Sequence, residues 1–144
     1  MPREESGEIS YDAKGRVRWG KRAAGLLIER IDTKAVFLVL RSAEVLDPGL
    51  WGIPGGRVEP GETELDAAIQ ESSEELGTLP HFHVLSEKAM TSGEFTYTTF
   101  FATMPGEIAS VWKPVLNWEN DAWGWFPRNK LPKNVHPGVK SVLR

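Results

Sequence analysis

The chain has 144 residues, 40% hydrophobic and 26% charged; these globular proportions at the length of one domain exclude a disordered protein and leave no room for a second core. Seventeen Lys and Arg against twenty Asp and Glu set the net charge at −3, which argues against a general nucleic-acid binder, whose affinity comes from neutralising phosphates. With no cysteine, disulfides, thiolate metal sites and a cysteine nucleophile are excluded, and any metal must sit on oxygen or on the three histidines.

The first twenty residues mix Arg3, Glu4, Glu5, Glu8, Asp12, Lys14, Arg16 and Arg18 without an apolar core, so no signal peptide is expected. Residues 1–18 read as a polar amino-terminal arm, and 19–144 as a single domain. β-Branched and other apolar residues cluster from Ala23 to Ile31 and again from Lys34 to Arg41, around an Asp32–Thr33 break, which predicts a hairpin. Ala35 to Leu40 is apolar on both faces, so that strand is expected at the centre of a sheet, covered on both sides. It is also the longest wholly apolar run, far short of the ~18–20 residues that cross a bilayer. A soluble cytoplasmic protein with no membrane partner is the expectation. Asp47-Pro48-Gly49 and Pro54-Gly55-Gly56 read as loops.

Thr63 is a good helix N-cap, with Asp66 three residues on, and Leu65, Ala68, Ile69, Ser72 and Leu76 follow at helical spacing as far as Gly77. The spacing predicts a helix over 64–76 that buries Leu65, Ala68, Ile69 and Leu76. Strands are expected at 82–89, 95–103 and 121–127, with a short helix after Pro137 and Gly138. Sheet segments on either side of one amphipathic helix give an α/β fold class, a mixed sandwich.

On that helix Glu71, Glu74 and Glu75 fall within one arc of roughly 100°, facing away from the apolar stripe. Such neighbours repel, which is ordinary for a solvated acidic face but costly unless a cation compensates. Between Arg57 and Glu75 lie seven acids and one base, a local charge of −6, so the rest of the chain carries +3. An acidic segment on a mildly basic body is what a metal-bridged polyphosphate site requires: carboxylates hold hard Mg²⁺ or Mn²⁺ ions, and bases elsewhere hold phosphates.

Gly56, five residues to Glu62, and seven more to Gln70-Glu71-Ser72-Ser73-Glu74-Glu75-Leu76-Gly77-Thr78 resemble the signature of the Nudix hydrolases, G-x5-E-x7-R-E-U-x-E-E-x-G-U with U apolar. Six of its nine specified positions match: Gly56, Glu62, Glu71, Glu74, Glu75 and Gly77. The preceding Trp51-Gly52-Ile53-Pro54-Gly55-Gly56 is similar to the family's lead-in to its loop–helix–loop motif. The resemblance implies an α/β/α sandwich with a mixed sheet. It also implies hydrolysis of a nucleoside diphosphate linked to another moiety, with Mg²⁺ or, in its place, Mn²⁺. Position by position it implies Glu74 and Glu75 as principal metal ligands, Glu71 as a further ligand or a carboxylate behind them, and the Gly55 carbonyl as another donor. Gly56, Glu62, Gln70 and Gly77 hold structural positions, with Glu62 securing the loop against the helix. Gln70 stands where the family has Arg, and can donate to Glu71 but carries no charge and no bidentate fork. Ser72 replaces an apolar residue on the buried side, where its hydroxyl needs a partner, such as a carbonyl one turn earlier.

Outside the signature, Arg41 ends the central strand about where mutator-type members place an arginine on the substrate phosphates. Glu119 resembles the late glutamate that serves in that branch as metal ligand or general base, with Asp121 and Glu94 as competitors. Trp118, Trp123 and Trp125 crowd together, and Trp123 is the expected base-stacking contact, with core packing the alternative. Trp123 and Trp125, two apart on a strand, face the same side. Asn134 resembles an asparagine that reads a purine edge. Five bases and no acids from Arg128 to Arg144 could lean on a polyphosphate. His81, His83 and His136 lack metal-ligand spacing and read as structural. No G-x-S-x-G elbow and no P-loop occurs.

The expected function is that of a Mg²⁺-dependent pyrophosphohydrolase cleaving nucleoside or deoxynucleoside triphosphates to a monophosphate and pyrophosphate. Alternatives are dinucleoside polyphosphates, with Tyr97 near where that branch places a tyrosine, ADP-ribose, nucleotide sugars, or a non-catalytic nucleotide-binding module. The partner is a small nucleotide rather than a nucleic-acid polymer, and the polar arm is available to complete a homodimer.

Overall fold

The computed structural model describes residues 9–11, 17–19 and 22–143. In the expected polar arm, β1 (Ile9–Tyr11) pairs antiparallel with β2 (Val17–Trp19), which runs one residue past the arm's expected end; the rest of the arm lies outside the described residues. The predicted hairpin is β3 (Arg22–Arg30) and β4 (Val36–Arg41). The turn closes with the Arg30 N–H on the Ala35 carbonyl and the Lys34 N–H on the Arg30 carbonyl, both 2.9 Å.

Around this hairpin stands a mixed seven-stranded sheet. Its main path runs β5 (Trp51–Gly52), β4, β3, β8 (Phe95–Met104), β7 (His83–Ser92), with β6 (Gly55–Arg57) added to β3 and β9 (Asn120–Phe126) added to β4. β3 and β8 are parallel, from Arg22 opposite Thr96 to Arg30 opposite Met104. Alternation along the two central strands sends side chains to two cores. Ala24, Leu26, Ile28, Phe37 and Val39 join one cluster with Ala67, Ala68 and Leu76 of α1 (Glu64–Leu76). Leu27, Val36 and Leu38 join the other with Val139 and Val142 of α3 (Pro137–Leu143). Helices therefore cover both faces, as an α/β/α sandwich requires. Among the described residues no helix is long and apolar enough to cross a membrane.

The helix α1 has the predicted bounds. Thr63 caps it, its hydroxyl accepting from the Asp66 N–H at 3.1 Å, and Gly77 ends it at φ 81°, in the region that glycine adopts without penalty. Two expectations need correction. Pro54-Gly55-Gly56, read as a loop, leads straight into β6, because two residues without side chains let this backbone lie against Ala24 and Gly25 of β3. The short helix α2 (Gly106–Val111), which buries Ala109, was not foreseen, since six residues hold too little periodicity to read.

The buried face of α1 is wider than the predicted stripe. Leu65 and Ile69 are only half-buried, whereas Ala67, Ser72 and Glu75 are buried with Ala68 and Leu76, because β6 packs on the helix flank. The expected back-bond to a carbonyl one turn earlier is made by Ser73, to Ile69 at 2.8 Å, and not by Ser72. The Ser72 hydroxyl is fully buried without a hydrogen-bond partner. An unpaired buried hydroxyl costs about 1–3 kcal/mol. Ser72→Ala is therefore expected to raise the thermal midpoint in a calorimetric scan; a lowered midpoint would show that the hydroxyl is satisfied in solution.

Candidate active site

The site is assembled where β4 ends. Arg41 stands opposite Asn120 at a register break between β4 and β9. The next residue, Ser42, ties this strand end to the segment entering β9: its N–H donates to the Glu119 carbonyl at 2.9 Å and its hydroxyl to the Trp118 carbonyl at 2.8 Å. Arg41, Trp118, Glu119 and Asn120 are thereby neighbours despite their distance in sequence. On the other side β6 presses against α1. A Cβ on Gly56 would collide with the Glu71 side chain, so glycine at this position leaves Glu71 where it stands.

Glu75 closes the assembly from behind. It is 4% exposed, and its carboxylate accepts from the Gly55 N–H at 2.9 Å and from Asn120 Nδ2 at 2.7 Å. Removal from water pushes its carboxyl up to about 8, and the negative charge of Glu119 adds to that rise. The Gly55 and Asn120 hydrogen bonds and the Arg41 guanidinium act in the opposite direction.

In front of these groups lies a cleft of 990 Å³, whose lining includes neither Glu75 nor Asn120. Arg41, Gly55, Gly56, Glu71 and Glu119 line it, Phe95 and Tyr97 of β8 contribute an aromatic wall, and Trp118, 65% exposed, stands at its edge. Glu71, Gly55, Gly56, Arg41 and Glu119 are thus brought together as the sequence suggested. Several other candidates lie elsewhere. Glu74 is exposed outside the cleft lining and accepts from Gln70 Nε2 at 3.4 Å, whereas Glu71 was the partner expected for Gln70. The expected solvent-facing arc of three carboxylates is divided: Glu74 is exposed, Glu71 half-buried and Glu75 buried.

Trp123 and Trp125 face the same side as expected, but they pack on Phe37, with ring centroids 5.8 and 5.2 Å away, and neither lines the cleft. Asn134 is also outside the lining, its carbonyl accepting from the Trp51 N–H at 2.7 Å. Glu62 closes its own loop by accepting from the Glu59 N–H at 2.8 Å. Gly77 caps the helix. Asp121 and Glu94 are exposed and away from the lining.

Three features escaped the sequence reading. Asn120, 5% exposed, was passed over although it follows Glu119 directly. Trp118 rather than Trp123 borders the cleft. His136, read as structural, lines the cleft together with Asp47, its Nε2 3.2 Å from Asp47 Oδ2.

Among the described residues no three His, Asp or Glu side chains form a ready-made metal cage. Mg²⁺ asks for less, since it keeps waters and binds through one or two carboxylates together with substrate phosphates. The donor set fits such an ion: Glu71 and Glu119 offer carboxylate oxygens in the wall, and a cation would favour the charged form of Glu75 that burial disfavours.

A family model described as the NUDIX domain matches residues 19–144. The chain belongs to the Nudix family. Among curated relatives, a "Putative 8-oxo-dGTP diphosphatase 3" of Mycobacterium tuberculosis is 34% identical over 132 residues, covering 83% of this chain and 59% of that protein. A "Bis(5'-nucleosyl)-tetraphosphatase [asymmetrical]" of Caenorhabditis elegans is 33% identical, covering 72% of this chain and 77% of that one. The chain spans 20% and 59% of the lengths of the first two curated relatives it matches. A solved Nudix hydrolase from M. smegmatis, RenU, superposes with a TM-score of 0.76 at 26% identity, over 94% of this chain and 89% of that one.

The buried carboxylate of this Nudix chain makes a stability prediction. Folding raises Glu75 from 4.5 to about 8, so the folded state binds the extra proton; the contribution of this group is full below about pH 4.5 and is lost as pH rises towards 8. In chelator-treated protein the thermal midpoint is expected to fall across that range, and Glu75→Gln to flatten the fall. An identical slope in the variant would show that another group carries it.

Proposed function

We propose that this chain is a Mg²⁺-dependent pyrophosphohydrolase that cleaves nucleoside or deoxynucleoside triphosphates to a monophosphate and pyrophosphate. The observation that carries this reading is one cleft lined by two chemistries: the carboxylates of Glu71 and Glu119 with Arg41, and the aromatic rings of Phe95, Tyr97 and Trp118. Phosphates match the first and a nucleobase the second. Similarity to a putative 8-oxo-dGTP diphosphatase supports it.

The residues divide the work as follows. Arg41 neutralises phosphate oxygens with its planar fork. Glu71, Glu119 and Glu75 are the carboxylates that would hold the cation, which when bound offsets phosphate charge and acidifies a bound water. The Gly55 N–H and the Asn120 amide keep the Glu75 carboxylate in one orientation. Hydrolysis forms a bond from water oxygen to phosphorus and breaks the bridging P–O bond. The water proton passes to a carboxylate, and Glu119 in the cleft wall, oriented by Asn117 Nδ2 at 3.2 Å, is the base we assign. Trp118 has its carbonyl pinned by Ser42 while its indole projects into solvent, a platform on which a base can stack.

A second reading, dinucleoside polyphosphates, is favoured by the size of the cleft: 990 Å³ sits at the upper end of the ~300–1,000 Å³ of small-molecule pockets and leaves room beyond one nucleotide. Tyr97 in the wall and the similarity to the C. elegans tetraphosphatase agree with it.

Chromatography of products from NTPs, dNTPs, ADP-ribose and diadenosine polyphosphates, each with Mg²⁺, tests the proposal and separates the two readings. Release of pyrophosphate and a monophosphate, abolished by chelation, is the expected result; retained nucleotide binding without any cleavage would favour a binding module. Glu71→Gln and Glu75→Gln are expected to lower turnover by about a hundredfold or more, and Glu74→Gln by less; the reverse order would displace the site towards Glu74. Trp118→Ala is expected to raise KM several-fold with kcat nearly unchanged, as loss of a stacking contact worth ~1–3 kcal/mol per base demands. An unchanged KM would remove Trp118 from the binding surface.

A further inference from the structure

Arg41 reaches the site on a long, flexible side chain, and one hydrogen bond directs it: Nε donates to the Leu46 carbonyl at 2.6 Å. That bond uses the donor nearest the chain and leaves the terminal fork for other acceptors. The direction of the Leu46 carbonyl is therefore as consequential as Arg41 itself. The peptide unit that carries it joins Leu46 to Asp47, so its plane is set partly by φ of Asp47.

Asp47 holds an unusual φ of 54°, in the left-handed region that costs L residues energy and that Asp and Asn tolerate best. Pro48, next in sequence, disfavours the right-handed helical alternative at Asp47. The side chain is also tethered. Asp47 is 7% exposed, and its Oδ2 lies 3.2 Å from His136 Nε2. His136 is held in turn from two sides: its own N–H donates to the Trp51 carbonyl at 2.8 Å, and its Nδ1 accepts from the Gly138 N–H at 3.0 Å. Because an amide N–H can only donate, that contact places the ring proton on Nε2, where it points at the Asp47 carboxylate. Arg41, Leu46, Asp47 and His136 all line the same cleft.

We propose that Asp47 and His136 are positioning residues that hold the Arg41 guanidinium on the site through the Leu46 carbonyl. The chain of contacts runs from the start of α3, across the 42–50 loop, to the end of β4, and links the C-terminal segment to the phosphate-facing group. Its consequence for turnover rests on the reading that Arg41 contacts substrate phosphates; its structural content does not.

Two measurements separate those parts. In ¹H–¹⁵N spectra the Arg41 Nε–H resonance, assigned by its disappearance in Arg41→Lys, is expected to be shifted by its hydrogen bond and slow to exchange. Asp47→Ala should release it, whereas Asp47→Asn, which keeps an acceptor and tolerates the same φ, should preserve it. His136→Leu should act like Asp47→Ala, and His136→Gln, which retains a donor and an acceptor, should preserve the signal. An Arg41 resonance unmoved by both Asp47→Ala and His136→Leu would overturn the proposal.

In turnover of dGTP with Mg²⁺, Asp47→Ala is expected to raise KM about tenfold in the wild-type background and not at all in Arg41→Ala, while its effect on the thermal midpoint persists in both. A KM effect of equal size in both backgrounds would show that Asp47 acts independently of Arg41, and would overturn the proposal. A released resonance in Asp47→Ala, with KM indifferent to Arg41→Ala, would leave the tether standing and refute only the phosphate role of Arg41.

Discussion

The buried carboxylate of Glu75 is the constraint around which the site is built. An ionisable group at 4% exposure must be hydrogen-bonded or become costly, and both its oxygens find partners, on Gly55 and on Asn120. Each partner belongs to a different segment. Satisfying one side chain of α1 therefore fixes the helix against β6 and against the start of β9 at once. Main-chain bonds extend the same junction, as the Val115 N–H donates to the Leu76 carbonyl at 2.9 Å and the Asn117 N–H to that of Glu75 at 3.1 Å. The helix end, the glycine strand and the connection into β9 are thus locked together where the chemistry is proposed.

That junction accounts for the glycines. Gly55 and Gly56 form a strand rather than a loop because neither carries a side chain to separate β6 from β3 on one side or from Glu71 on the other. Carboxylates can then approach one another closely, which is unfavourable in isolation and useful only when a cation shares the space. Burial raises the affinity of Glu75 for its proton, and the charge of Glu119 adds to that rise. A buried carboxylate with a raised proton affinity is a feature often found at active sites.

Where β4 ends, the cleft depends on long-range order of another kind. The loop after β4 bonds back to Arg41 through Leu46 and Gly49 and is pinned at Asp47 by His136. The end of β4 is joined to Glu119 and Trp118 by Ser42. The cleft is consequently lined from several parts of the chain: Gly55, Gly56 and Glu71 from β6 and α1, Arg41, Trp118 and Glu119 from the end of β4 and the approach to β9, and Phe95 and Tyr97 from β8. A nucleotide in it would be gripped by elements that only the sheet brings together.

Local chemistry was legible in the sequence where it acts over short spacings. The Thr63 cap, the Asp66 capping partner and the Gly77 stop delimit α1 because they act on adjacent backbone groups, and the apolar run Ala35 to Leu40 announced a strand covered on both faces, of which Val36 to Val39 are fully buried. The carboxylate cluster and its glycines were readable for the same reason, as positions on one helix and the segment before it. Depth was not readable. The helical wheel places Glu71, Glu74 and Glu75 on one arc, and only packing against β6 and β9 decides that Glu75 is buried, Glu71 lines the cleft and Glu74 stays in solvent. Likewise three tryptophans within eight residues look alike in sequence, yet the pairing of β9 with β4 directs Trp123 and Trp125 onto Phe37 and leaves Trp118, just before the strand, at the cleft. The sequence by itself determined the longer elements, α1 and the strands of the central hairpin among them, and the chemical character of the site, because propensity, capping and spacing are local. Which carboxylate is buried, which tryptophan borders the cleft and how Arg41 is held were decided by tertiary structure alone, because burial and orientation depend on residues brought together from far along the chain.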